Sequence, residues 1–245
     1  MTEKPLERRL QTGLHITRRN DPLREITLKR LYEGIRHSKE PLRDAIEQLR
    51  AVKSVDENQY RQMKTGLPYF VCGVFHPPVR RLENLAAMHY LLLDLDHLGH
   101  IDTTPHQLRQ RLRADERLVM DFVSPGGDGL KLLFALSEPV FDAELFRRLY
   151  KWFALQFAEQ YGLQEVVDMR THDPTRACFL SADPEARLNE QAVPVDVAAF
   201  RAALEDGQLR QIETRAREVT AQRPAEPKQD AHKGPDDETL RKIKE

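Results

Sequence analysis

Short apolar runs alternate with amphipathic stretches over the first two hundred residues, and the change between the two periods predicts the elements. Leu14-His15-Ile16-Thr17 reads as an opening strand. Asp21 then suits a helix N-cap and Pro22 a first helical position, with Leu23, Ile26, Leu28, Leu31 and Ile35 as the apolar stripe. A second helix follows Ser38, with Leu42, Ile46 and Leu49 inward; Arg43, Glu47 and Arg50 read as its solvated face. Tyr69 to Phe75 and Tyr90 to Asp94 read as strands, and Thr104-Pro105 starts a helix that turns Leu108 and Leu112 inward. Leu118 to Val123 and the residues after Gly129 flank a glycine-rich turn as a hairpin. From Asp142 to Tyr161 runs a long helix whose stripe of Leu145, Leu149, Trp152, Phe153 and Phe157 reads as core, with Gly162 as its stop. Short strands at Val166 and Cys178 complete an α/β (α+β) fold with a mixed or antiparallel sheet flanked by helices.

Past Asn189 the pattern changes. Asp196 to Leu204 can form one more helix, Gln211 to Val219 is densely charged, and Thr220 to Pro235 is a polar, proline-bearing linker without core material. Asp236-Asp237-Glu238 followed by Leu240 and Ile243 reads as the start of a further helix, so the chain is expected to be a fragment of a longer protein whose next domain begins near residue 236.

At 245 residues and 40% hydrophobic, the chain can bury one good core with a small appendage. A formal net charge of −1 gives no global attraction to nucleic acid, so any polynucleotide contact has to be a local patch. The basic groups at Arg18-Arg19, Arg80-Arg81, Arg109 to Arg113 and Arg147-Arg148 are the candidates, though runs of this kind read more readily as solvated faces. Cys72 and Cys178 sit in apolar segments as small buried hydrophobes, and without a Cys-x-x-Cys there is no zinc module. With no apolar stretch of bilayer length and no signal peptide at Met1 to Pro5, a cytoplasmic location and no membrane partner are expected.

The chemistry concentrates at strand ends. Asp94-Leu95-Asp96 closes the run Tyr90 to Leu93, and period-two alternation puts both carboxylates on one side of the sheet edge, where a divalent cation can be held. Alone, such a pair serves turn chemistry more readily than a metal. About thirty residues on, Ser124-Pro125-Gly126-Gly127-Asp128-Gly129-Leu130-Lys131 offers backbone N-H groups to an anion and Lys131 as a point charge, though it reads equally as a plain hairpin. It lacks the spacing of a P-loop. Glu165 to Asp168 closes another apolar run with a carboxylate, and Arg176 follows. Three such carboxylates can hold two divalent ions roughly 3.5 to 4 Å apart for phosphoryl transfer. No pair of histidines one residue apart is present, which disfavours a rolling-circle nuclease of the His-hydrophobe-His type; His97 and His100 follow the acidic pair as loop residues.

Together with Tyr60 to Pro68, Cys72 to Phe75, Arg81 to Asn84, Ser181 to Pro184 and Asn189, these segments resemble the archaeo-eukaryotic primase superfamily. Within it, the likeness is to the branch of virulence-protein-E N-terminal domains and CRISPR-associated primase-polymerases, over about residues 10 to 190. The resemblance implies an RRM-like catalytic sheet joined to an N-terminal α/β unit: residues 1–204 as catalytic domain, with the N-terminal unit at about 10–88 and the metal-binding part at about 89–190, then a charged helix and linker over 205–235. It implies Asp94, Asp96 and Asp168 as catalytic ligands of two Mg²⁺ or Mn²⁺ ions, and Ser124, Gly126, Gly127, Gly129, Lys131 and Arg176 as the binding site of a nucleoside triphosphate. Lys64, Arg80 and Arg81 would meet single-stranded or primed DNA template. Many superfamily members carry histidine where this chain has Lys131, which keeps charge but not a titratable ring. The expected activity is template-dependent primer synthesis or extension; a downstream helicase-like domain and CRISPR adaptation proteins are partners the branch admits. The competing readings are a non-catalytic primase-like module that binds nucleic acid, and a metal-dependent nuclease.

Overall fold

The computed structural model describes residues 5–205 and 209–222. Its first sheet comprises β1 (Arg9–Gly13), β2 (Arg24–Thr27), β3 (Tyr69–Val71) and β8 (Cys178–Phe179), in the order β2-β1-β3-β8. The second comprises β4 (Gly73–Phe75), β5 (Leu85–Leu95), β6 (Leu118–Val123), β7 (Leu130–Val140) and β9 (Arg187–Leu188), in the order β4-β5-β7-β6-β9. Every ladder in both sheets is antiparallel. The fold class expected from the pattern is therefore met, with the antiparallel arrangement realised.

Tyr90 to Leu95 are all buried, as a central strand covered on both faces requires. Strand β7 lies beside it with Asp94 opposite Lys131 and Leu95 opposite Leu130, so the hairpin register sets the lysine against the first carboxylate. One face is covered by α5 (Ala143–Tyr161), capped by the Asp142 side chain on Leu145 N and ended by Gly162 at φ 64°. Phe134 of β7 meets Phe153 and Phe157 of that helix edge-on, with ring centroids 4.7 and 5.3 Å apart. The predicted stripe is thus core: Leu149, Phe153 and Phe157 are buried, each worth about 1.5 to 3 kcal/mol in transfer from water. Helix α6 (Val197–Glu205) starts on Asp196, which accepts from Ala198 N and Ala199 N, and α7 (Leu209–Gln222) buries Ala216 and Val219.

Helices α1 (Leu28–Arg36), α2 (Leu42–Lys53) and α3 (Glu57–Thr65) stand between β2 and β3, and α4 (Pro105–Arg111) between β5 and β6. The predicted cap at Thr104 forms, as a capping box with Gln107, and Leu108 and Leu112 are fully buried.

Four local expectations are corrected. The opening strand is Arg9–Gly13, not Leu14 to Thr17, because the amides of Leu14 and His15 turn onto the Asp21 carboxylate. With Asp21 so used, no helix starts at Pro22; residues Arg24–Thr27 pair with β1, and the helix begins at Leu28 with Thr27 as its cap. Tyr69 to Phe75 is two strands in different sheets, broken at Cys72. Val166 to Val167 makes a single bridge to Leu95 rather than a strand. The linker expected over Thr220 to Pro235 lies outside the described residues from residue 223 on, as does the helix expected at Asp236 to Ile243. Among the described residues no helix is long and apolar enough to cross a membrane.

Candidate metal and nucleotide site

Asp94 and Asp96 close β5 on the same side, and the bridge between Leu95 and Val167 brings in the third carboxylate. Asp96 N donates to Val166 O at 3.0 Å and Asp168 N to Asp94 O at 2.8 Å, so backbone bonds on both sides of the bridge fix Asp168 against the pair. One oxygen from each carboxylate lies within 4.8 Å of the others. Asp94 and Asp168 are buried, and Asp96 is half-buried.

These charges are partly compensated. Lys131 Nζ forms an ion pair with Asp94 Oδ2 and stands 3.7 Å from Asp96 Oδ1. Asp168 Oδ1 accepts from Arg170 N and Nε, both at 2.9 Å, while Arg176 Nη2 is 3.8 Å from Oδ2. Asp94 Oδ1, however, is buried and accepts no hydrogen bond among the described residues. Burial outweighs the pull of Lys131, and with the charges of Asp96 and Asp168 it lifts the Asp94 carboxyl to about 6. For Lys131, burial works against the charge but Asp94 and Asp96 win, and its pKa moves up. An orphaned carboxylate oxygen beside two further carboxylates has the donor set that Mg²⁺ or Mn²⁺ takes.

The glycine turn sits directly under this cluster. Gly127 adopts φ 82°, and Gly129 packs so closely that a Cβ there would stand 2.5 Å from Leu95 O and 3.0 Å from Asp96 Oδ1. Ser124 is buried; its N-H donates to Gly129 O, and its hydroxyl accepts from Gly129 N, so it closes the turn. The carbonyls of the turn face α2. Arg50 donates to Pro125 O at 3.2 Å, Ser124 O at 3.4 Å and Ala182 O at 3.2 Å, and Lys53 donates to Gly126 O at 3.3 Å while pairing with Asp128 at 2.5 Å. Arg50 is therefore a clamp, not the solvated side chain the helix pattern suggested. Two cations three positions apart at the end of α2 were the only sequence signal.

Arg109 is likewise no part of a basic face. It is buried, 2.5 Å from both Asp121 and Asp183, and Asp183 also accepts from Val123 N, which ties β6 to the loop carrying Ala182.

A cleft of about 360 Å³ opens over the acidic trio, lined also by Lys131, Lys64, Arg80, Arg170, Arg176 and Pro125. Lys64 lies over the rings of Tyr60 and Phe179, and Arg80 over Tyr69 while donating to Thr175 O at 3.1 Å. Arg81 is not brought to this cleft. With Arg18 and Arg19 it lines an adjoining one of about 340 Å³, which shares Arg80 and Ile16 with the first. His97, at φ 56°, stands outside both and faces Asp128 at 3.8 Å.

A family model described as BT4734-like, N-terminal domain matches residues 62–187. No curated protein matches the chain by sequence. Two solved structures are similar. The AEP domain of the primase-polymerase of cyanophage S-2L is 12% identical, with a TM-score of 0.41 over 83% of this chain and 88% of that one. The catalytic domain of primase RepB′, in complex with initiator DNA, is 13% identical, with a TM-score of 0.33 over 88% of this chain and 91% of that one.

Proposed function

The chain belongs to the family of BT4734-like N-terminal domains, and from that footing we propose that it is a template-dependent nucleotidyltransferase, a primase-polymerase that makes or extends primers from nucleoside triphosphates. The observation that carries this reading is the convergence of Asp94, Asp96 and Asp168 in one cleft with Lys131 and with Pro125 of the glycine turn, the orphaned Asp94 oxygen among them. Residues 1–204 are read as the catalytic domain.

In this reading the three aspartates hold two divalent cations, which when bound supply charge stabilisation at the attacking and leaving oxygens of phosphoryl transfer. Lys131, which stands against Asp94 and Asp96, would offer its ammonium to the phosphate oxygens of the incoming triphosphate. Arg176, exposed at the cleft, adds a guanidinium fork for the same phosphates. The turn from Ser124 to Gly129, held from behind by Arg50 and Lys53, sets the floor against which the triphosphate lies. Lys64 and Arg80, on the first sheet's side, meet the template or primer backbone, with Arg81 further along.

The test is primer synthesis on a single-stranded template with Mn²⁺ and each nucleotide pool. The Asp94→Asn/Asp96→Asn variant should retain the fold by circular dichroism and lose incorporation at least a thousandfold, on the scale of an essential electrostatic group. Undiminished incorporation by that folded variant would refute the assignment, and template cleavage without triphosphate would favour the nuclease.

A further inference from the structure

We propose that the cleft between α5 and α7 is a second phosphate-binding subsite, which takes the phosphodiester backbone of a single-stranded polynucleotide running past the acidic trio. The inference rests on the nucleotidyltransferase reading and extends it to residues outside the catalytic cleft.

This cleft, about 290 Å³, is lined by Lys151 of α5, Arg170 and His172 of the turn after Asp168, and Arg217 and Thr220 of α7. Four of these side chains carry or can carry positive charge, and no carboxylate among the described residues lines it. Lys151 and Arg217 form no ion pair among the described residues, whereas Arg215, two positions before Arg217, is taken up by Glu159 at 2.7 Å. Two cations without a carboxylate partner lining one cleft favour an anion there.

Position decides which anion. Arg170 lines both this cleft and the catalytic one, and it contacts Asp168 directly. Arg80 is shared in the same way with the cleft of Arg18, Arg19 and Arg81, which Asp21 and Glu83 also line. Two clefts in which cations outnumber carboxylates thus adjoin that of the acidic trio, each sharing one arginine with it. A triphosphate fills the middle and a departing pyrophosphate needs one exit, but only a chain of phosphates uses both flanks. With a net charge of −1, the protein has to concentrate its attraction in such a track.

The experiment measures binding of a fluorescent 25-residue oligothymidylate to the full chain by anisotropy, from 50 to 200 mM KCl, for wild type, Lys151→Gln/Arg217→Gln and the charge-keeping Lys151→Arg/Arg217→Lys. Each lost phosphate contact lowers the salt slope of single-strand binding by about 0.7, so the neutral variant should lose about 1.4 in slope, and its deficit should narrow about sevenfold across that salt range. The charge-keeping variant should hold the wild-type slope. Displacement of the oligonucleotide by millimolar pyrophosphate to the same degree in wild type and neutral variant supports the track; selective loss of pyrophosphate competition with an unchanged slope assigns the cleft to the leaving group and overturns it. Equal slopes in all three proteins also overturn it. Mn²⁺-dependent triphosphate binding by the wild type, measured alongside by calorimetry, separates the failures: its absence removes the catalytic reading, while its presence with equal slopes removes only this subsite.

Discussion

Replacing Gly129 by alanine probes how tightly the glycine turn is coupled to the acidic cluster. The added Cβ would lie 2.5 Å from Leu95 O, 3.0 Å from Asp96 Oδ1 and 3.2 Å from Ser124 Oγ. Ordinary contact needs roughly 0.8 Å more room at the carbonyl, taking carbon to oxygen contact at about 3.3 Å. That oxygen cannot give way cheaply, since Leu95 is paired with Leu130 on one side and bridged to Val167 on the other. The strain should appear as about 1 to 3 kcal/mol of lost stability, as for overpacking in a rigid interior, or roughly 2 to 12 °C in Tm for a chain of this size. Because Asp96 and Asp168 hang on the same two bonds, Mn²⁺ affinity should fall as well. Neighbouring glycines supply the contrast. At Gly126 the nearest atoms are the ends of the Tyr60 and Lys53 side chains, which can move, so alanine should be tolerated there; at Gly127 nothing is closer than 3.5 Å, but φ 82° costs about 1 to 2 kcal/mol. Differential scanning calorimetry and Mn²⁺ titration of the three variants check the order. A Gly129→Ala protein with unchanged Tm and unchanged Mn²⁺ affinity would refute the coupling.

Four further outcomes are expected. With Asp94 lifted to about 6, it must lose a proton for a cation to bind, so Mn²⁺ affinity should weaken about tenfold from pH 7 to pH 5, with proton release visible as buffer-dependent heat; flat affinity over that range would contradict it. The same group works in the opposite sense on the metal-free fold: its native pKa exceeds the ordinary aspartate value of 3.8, so stability present below about pH 4 is lost as pH rises through 6, by about 3 kcal/mol, and Asp94→Asn should abolish that trend in urea titrations. Arg50→Ala frees the turn carbonyls and should raise KM for the triphosphate about tenfold with a smaller change in kcat, while Arg50→Lys recovers only part because it cannot reach three carbonyls at once; an unchanged KM would show that the clamp is idle. Arg109→Met leaves Asp121 and Asp183 buried without their cation and should cost about 3 to 5 kcal/mol, whereas Tm within a degree of wild type would mean the network contributes nothing.

Much of the site was legible because its signals are local. The alternation Asp94-Leu95-Asp96 after an apolar run, the glycines beside Lys131, and the capped aromatic helix from Asp142 to Gly162 each follow from spacing within a few residues. What escaped depends on partners distant in sequence. Asp21-Pro22 has the signature of a helix start, yet the Asp21 carboxylate is drawn to the amides of Leu14 and His15, and the residues after it find a strand partner in β1. Val166 and Val167 need only one bridge to deliver Asp168, less than a strand yet enough to bring the third carboxylate in. Arg50 and Arg109 looked like surface charge on amphipathic helices; their carbonyl and carboxylate partners lie 12 to 132 residues away, beyond any periodicity. Arg170 and Lys151 lay outside the recognised basic runs for the same reason.

Calorimetric titration of Mn²⁺ into the wild-type chain and into Asp168→Asn at pH 7 addresses the convergence of the three aspartates most directly. Two ions should bind the wild type, and the substitution, made more than seventy residues from Asp94 and Asp96 in sequence, should remove at least one of them. Identical stoichiometry and affinity in the two proteins would contradict a shared metal centre.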